Sequence, residues 1–215
     1  AENINISNSS FNDNLLSGLY IGNSQYYVRN FDYGVVPKVK DISISGSTFT
    51  DNGRIYEQND VSINKVPEPY QISYGLYSKA TIDGMNITKS DFKNSIMGIH
   101  FINYGLSDVE VSGSNITGTT YGVAFTPGMN AEEDYGYYEF SDVFIHHSNI
   151  SGNDLIPPES LGVDRVPNAG IVNTTENLLN AAINWWGSAE GPNVDLDYWE
   201  GYRNSERDVS TVDLE

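Results

Sequence analysis

Asp41-Ile-Ser-Ile-Ser-Gly-Ser-Thr-Phe-Thr-Asp-Asn52 places apolar residues two apart on either side of a central serine. A period of two is that of a β-strand with one face buried, so the segment reads as two short strands with a bend between them. Four more segments, 3–14, 84–95, 108–119 and 142–153, align with it without a gap. The first apolar column is Ile4, Ile42, Met85, Val109 and Val143, and the second is Ile6, Ile44, Ile87, Val111 and Ile145. A serine column follows, Ser9, Ser47, Ser90, Ser114 and Ser148, then Phe11, Phe49, Phe92, Ile116 and Ile150. A glycine-headed third strand comes after each copy: Gly18-Leu19-Tyr20-Ile21, Gly75-Leu76-Tyr77, Gly98-Ile99-His100-Phe101, Gly122-Val123-Ala124-Phe125 and Gly170-Ile171-Val172.

Repeated units that each expose one apolar face bury it by stacking. Three strands per unit predict an all-β solenoid of parallel strands roughly 4.8 Å apart. The step from Met85 to Val109 has the length of one coil. Helical spacing of three and four is missing. Stacking puts like residues over like: Ile, Val and Phe inside, with the serines and Asn14, Asn52, Asn94 and Asn153 as polar ladders along the axis. Glycine at the head of the third strand is expected to permit a bend that a Cβ would obstruct.

The pattern resembles the right-handed parallel β-helix repeat family, the pectate-lyase-like superfamily in its broad sense, found in archaeal and bacterial surface proteins. The resemblance runs over about residues 3–192 and closes on Asn184-Trp185-Trp186-Gly187, then Gly191-Pro192. It implies a right-handed parallel β-helix of about five to six coils with long inserted loops, over 1–192. Residues 193–215 carry no repeat and are acidic, which suits a cap, a linker or a contact segment. Little in residues 1–3 would cap the first coil, so a neighbouring domain or subunit is expected there. Domains of this family serve as polysaccharide lyases, hydrolases, epimerases, adhesins and surface-layer components, so the fold does not choose among them.

Composition narrows the partners. Asp and Glu number 29 against 11 Lys and Arg, a formal charge of -18. Such a surface repels phosphate backbones and anionic lipid, which argues against nucleic acid and electrostatic membrane binding. It also repels acidic polysaccharides unless a metal bridges them. No apolar run reaches the ~20 residues of a membrane span. There is no cysteine, hence no disulfide or thiol chemistry. No signal peptide is present, as in a mature secreted chain or a piece of a larger one. Six Asn-x-Ser/Thr triplets, at Asn5, Asn8, Asn86, Asn115, Asn149 and Asn173, point to a glycosylated protein outside the cell or on its surface.

Insertions in a solenoid form loops on one face and commonly bind. Those at 22–40, 53–74, 126–141 and 152–169 are rich in tyrosine and proline. Tyr135, Tyr137 and Tyr138, with Tyr20 and Tyr77 on the third strand, are candidate contacts for sugar or a protein partner. The same rings also serve to pack loops onto the wall.

A glycosidase needs two carboxylates about 5–10 Å apart. The outward column of the first strand is Asn5, Ser43, Asn86, Glu110 and Phe144; that of the third is Tyr20, Tyr77, His100, Ala124 and Val172. Neither holds a carboxylate pair, so no catalytic residue is assigned; Glu110 and His100 would be the first suspects in an enzyme. Asp41, Asp108 and Asp142 precede the first strand, where short Asp side chains cap turns. His146 and His147 lie far from His100 along the repeat. Glu132-Glu133-Asp134 or Asp195-Leu-Asp197 have the oxygen ligands Ca2+ prefers, though such clusters are commonly just solvated. Of Trp185 and Trp186, alternation turns one ring inward as a plug for the last coil. These features favour a non-catalytic structural or adhesive domain of a sheath, filament, surface layer or adhesin, held by self-assembly or by neighbouring domains. The alternative is a carbohydrate-active module that binds or cleaves a polysaccharide.

Overall fold

The structure is a computed structural model that describes residues 1–14, 17–22, 36–52, 73–128, 138–153, 169–175, 177–189 and 191, and the backbone of 212–213. Its described residues form an all-β architecture without helix. The strands are β1 (Glu2–Ser7), β2 (Ser17–Gly22), β3 (Lys38–Ser45), β4 (Thr48–Thr50), β5 (Tyr74–Lys79), β6 (Thr81–Thr88), β7 (Asp91–Lys93) and β8 (Met97–Asn103). They continue as β9 (Leu106–Ser112), β10 (Asn115–Thr117), β11 (Tyr121–Pro127), β12 (Phe140–His146), β13 (Ala169–Asn173), β14 (Leu179–Asn180) and β15 (Val212–Asp213).

They make three sheets, ordered β1-β3-β6-β9-β12-β14-β15, β4-β7-β10 and β2-β5-β8-β11-β13. Every pairing is parallel. From β3 to β11 the chain visits the three sheets in the same cyclic order, which fits a parallel β-solenoid. Register follows the sequence columns. Ile4 pairs with Ile42, Ile42 with Met85, Met85 with Val109 and Val109 with Val143. The Ile6 column pairs in the same way as far as Ile145. β15 lies in the acidic segment 193–215 and pairs with β14 at the edge of the first sheet.

The apolar columns meet in one core. Phe49 sits between Phe11 and Phe92, with ring centroids 4.9 and 4.7 Å away and planes within 3° of parallel. Those distances match the strand spacing, so the stack follows from the register. Each column serine after Ser9 then closes two bonds. Its hydroxyl donates to the carbonyl two residues back, as Ser90 does to Thr88 at 2.9 Å. It also accepts the backbone N–H of the preceding copy's serine, as Ser90 does from Ser47 at 3.2 Å. The same bond recurs from Ser9 to Ser47, Ser90 to Ser114 and Ser114 to Ser148. Buried N–H groups at the bend are thereby satisfied.

The asparagine ladder differs from expectation. Asn94 lies one residue too early; the column is Asn14, Asn52, Ser95, Thr119 and Asn153. Asn52 Oδ1 accepts from the backbone N–H and side-chain amide of Asn14, and Asn153 Oδ1 accepts from the N–H and hydroxyl of Thr119. At Ser95 the shorter side chain does not reach its neighbours, and its hydroxyl is buried without a partner among the described residues. Asn94 instead donates to Asp51 Oδ1 at 3.0 Å.

A backbone rule underlies the Asn, Asp and Gly content. In every copy three residues five apart have left-handed φ: Asn3, Asn8 and Asp13; Asp41, Gly46 and Asp51; Gly84, Lys89 and Asn94; Asp108, Gly113 and Gly118; Asp142, His147 and Gly152. Asn, Asp and Gly enter this region at least cost, and only Lys89 and His147 depart from them. Asp41, Asp108 and Asp142, expected to cap turns ahead of the first strand, instead lie inside β3, β9 and β12, where each takes the left-handed φ.

The third-strand glycines have another reason. A Cβ on Gly75 would stand 2.5 Å from the Gly98 carbonyl oxygen, one on Gly98 2.6 Å from that of Gly122, and one on Gly122 2.3 Å from that of Gly170. Close approach of the next strand, rather than a bend, excludes a side chain. Gly98→Ala is therefore expected to cost about 1–3 kcal/mol through forced separation of the strands. The urea midpoint measures it, and an unchanged midpoint would mean that the sheet yields freely at this point.

A sixth row continues the pattern. Phe144 pairs with Asn180, and Asn149 bridges to Trp185. Leu179 and Ala181 are buried in line with Val143 and Ile145. Asn184 takes the serine position, accepting the Ser148 N–H on its Oδ1 at 3.0 Å. Ile183 holds the left-handed position with φ 58°, which strains a β-branched residue by roughly 1–2 kcal/mol.

Candidate functional site

The parallel sheets offer chemistry in two places. On the first sheet the outward column is Asn5, Ser43, Asn86, Glu110 and Phe144 in continuous register. Glu110 Oε1 lies 3.1 Å from His146 Nε2, one diagonal step away. His146 Nδ1 lies 2.6 Å from His147 Nδ1. At the other end of this face Asp83 contacts Lys40 at 2.8 Å and Lys38 at 3.3 Å. Hydrogen bonds from Lys40 first, then Lys38, hold the Asp83 carboxyl below its usual range. The Asp83 side chain is one-third exposed, so water screens the interaction.

The second place is the third sheet. Tyr20, Tyr77, His100, Ala124 and Val172 pair in one column. Tyr77 stacks on Tyr74 at 4.4 Å and on His100 at 5.3 Å, and Tyr20 tilts over Tyr77 at 5.5 Å. His100 is 7% exposed. Its Nε2 shares a 2.9 Å hydrogen bond with Thr126 Oγ1, while Nδ1 is buried without a partner among the described residues. Burial lowers its pKa from 6.5 to about 4, so the ring is neutral at pH 7. A neutral, stacked imidazole is suited to packing or to a hydrogen bond. Glu110 and His100 lie on different sheets, so the two suspects do not form one acid–base pair.

Tyr138 is half-buried, edge-on to Tyr104 at 5.5 Å, and its carbonyl accepts from the amides of Asn103 and Asn177. Tyr135 and Tyr137 lie outside the described residues, as do Glu132, Glu133, Asp134, Asp195 and Asp197. Among the described residues no three His, Asp or Glu side chains gather to hold a metal ion. No described helix is long and apolar enough to cross a membrane.

Of the sequon asparagines, Asn5, Asn8, Asn86 and Asn115 are exposed and Asn149 is half-buried. Asn173 is 3% exposed, and its amide donates to the Asn177 carbonyl at 2.8 Å. A glycan there would require the end of β13 to open. The tryptophans divide by alternation. Trp186 packs against the core, and a Cβ on Gly170 would meet its ring at 3.2 Å. Trp185 is 52% exposed beside Asn149.

Three features went unread in the sequence. The Glu110–His146 contact follows from the aligned columns taken one diagonal step further. The His146–His147 contact depends on a left-handed φ that the glycines at the same position, Gly46 and Gly113, signal. Tyr74 precedes the glycine of its strand and reaches His100 at 5.6 Å, for which no repeated residue gives a clue.

The chain was compared with protein-family models, curated proteins and solved structures, and nothing matches in any of the three.

Proposed function

We propose that the chain is a right-handed parallel β-helix domain of about five to six coils, of the pectate-lyase-like kind. It serves as a non-catalytic structural or adhesive element of an extracellular or cell-surface protein. The observation that supports this is the unequal burial along each column. Ile42, Ile44, Phe49 and Leu76 are at most 2% exposed. Their partners in the first copy, Ile4, Ile6, Phe11 and Leu19, are only partly buried. β1 and β2 are also the terminal strands of their sheets. Half-covered apolar columns beside strand edges form a template for another stacked unit. A neighbouring domain, or a second copy, that continues the repeat would cover Phe11 and extend the serine ladder at Ser9. Asn5 and Asn86 on the outward face of the first sheet, with Asn8 and Asn115, are the glycan acceptors in this reading, and Asn173 stays unmodified.

The test is the mass and oligomeric state of the native protein, purified from its source with glycans left on. A large ordered glycosylated assembly is expected. A bare monomer would overturn the reading.

A carbohydrate-active role is the second reading, favoured by the Tyr20, Tyr74, Tyr77 and His100 cluster, whose ring faces suit sugar stacking. A glycan array and a reducing-sugar assay that both stay blank over a wide substrate range would remove it.

A further inference from the structure

Neighbouring residues in a regular strand point to opposite faces. His146 and His147 do not. The left-handed φ of 52° at His147 turns its ring back, leaving the imidazoles edge to face with centroids 4.8 Å apart. Both are accessible: His147 is exposed, and the His146 side chain is 30% exposed. Glu110 sits behind them, with Oε1 3.1 Å from His146 Nε2. A carboxylate there holds the proton on Nε2, so Nδ1 keeps a bare lone pair. That lone pair aims at the second Nδ1, 2.6 Å away.

We propose that His146 and His147 chelate a divalent transition-metal ion through their two Nδ1 atoms, Cu2+ ahead of Ni2+, with Glu110 as the positioning residue. A carboxylate on the outer nitrogen of a ligating histidine fixes its tautomer and raises its basicity. Geometry selects the ion. With metal–nitrogen bonds of ~2.0–2.1 Å, a right angle at the metal separates the two nitrogens by about 2.9 Å, and a tetrahedral angle by about 3.4 Å. The observed separation needs the smaller opening for the right angle, the preference of tetragonal Cu2+ and Ni2+, and the two rings turn so that both lone pairs converge on the ion instead of along the line between the nitrogens. Without metal, one Nδ1–H donates to the other Nδ1. On binding, the His147 proton moves to its outer nitrogen, so neutral imidazoles lose no net proton. Two protein ligands leave the remaining positions to water or to a donor from another molecule.

The experiment is a titration of the full chain with CuCl2 at neutral pH, followed by electron paramagnetic resonance and calorimetry. One equivalent with a two-nitrogen signature is expected. His147→Gly retains the backbone conformation that Gly46 and Gly113 already adopt, and it should abolish the stoichiometric site while circular dichroism stays that of the parent. Glu110→Gln should weaken binding about 10–100-fold and keep the two-nitrogen signature. His100→Phe, on the third sheet, should leave binding intact. The absence of a stoichiometric equivalent in the parent chain, or equal binding by His147→Gly, overturns the site. Unchanged affinity in Glu110→Gln overturns the positioning role.

Discussion

Phe49→Ala is expected to remove about 3–5 kcal/mol of stability, the range for a large aromatic side chain deleted from a packed core. Phe49 is fully buried, with Phe11 stacked on one face and Phe92 on the other. Truncation therefore loses the transfer energy of one ring and leaves a gap between two others. Collapse is hindered, because the hydrogen bonds from Phe11 N–H to Thr48 and from Asp91 N–H to Ser47 hold the flanking strands at a fixed spacing. A loss of this size is a large fraction of the 5–15 kcal/mol that ordinary domains possess. Urea unfolding at neutral pH gives the value. Phe144→Ala is the internal control: its ring is 38% exposed on the outward face, so the change should stay within about 0.5 kcal/mol. Phe49→Ile should fall between them, since Ile116 and Ile150 already occupy this column. Equal losses for Phe49→Ala and Phe144→Ala would mean that the stack is not the core.

The fold was legible because its register is written in the sequence. Stacked parallel strands put equivalent residues in contact, so aligning copies is the same operation as pairing strands. Ile44 over Ile87 over Val111 is therefore readable without a structure. Legibility ended where chemistry was substituted. Asn184 supplies an acceptor where the other copies use a serine hydroxyl, and Trp186 follows the Phe and Ile column, so the sixth row looks unrelated in letters while repeating the same bonds. The asparagine ladder was misplaced for the opposite reason. Asn94 looks like Asn52 but occupies a left-handed position that asparagine tolerates, and its amide reaches Asp51 outside the ladder. The candidate site was less legible still. Glu110 and His100 stood out as residue types, but their partners come from diagonal steps and side-chain stacking, which columns alone do not encode.

Acid is expected to weaken the fold through His100 in a defined window. Burial beside the stacked rings of Tyr74 and Tyr77 depresses its pKa from 6.5 to about 4. Between those values the unfolded chain binds a proton at this residue and the folded chain does not, so stability rises with pH across the window. The contribution is complete above the unfolded value and is lost as pH falls towards the folded one. The shift corresponds to about 3 kcal/mol. Asp83 acts lower: its pKa is depressed below 3.8, so its contribution is lost only in stronger acid. The net charge of -18 acts in the opposite sense, because protonating carboxylates relieves self-repulsion. That relief is common to the parent and to His100→Phe, which retains a flat ring for the stack and has nothing to titrate. The difference in urea-derived stability between the two, followed from pH 7 to pH 4, isolates the imidazole. His100→Phe should gain on the parent as pH falls through the window, by up to about 3 kcal/mol. Parallel curves would show that His100 titrates normally, and hence that water reaches its ring.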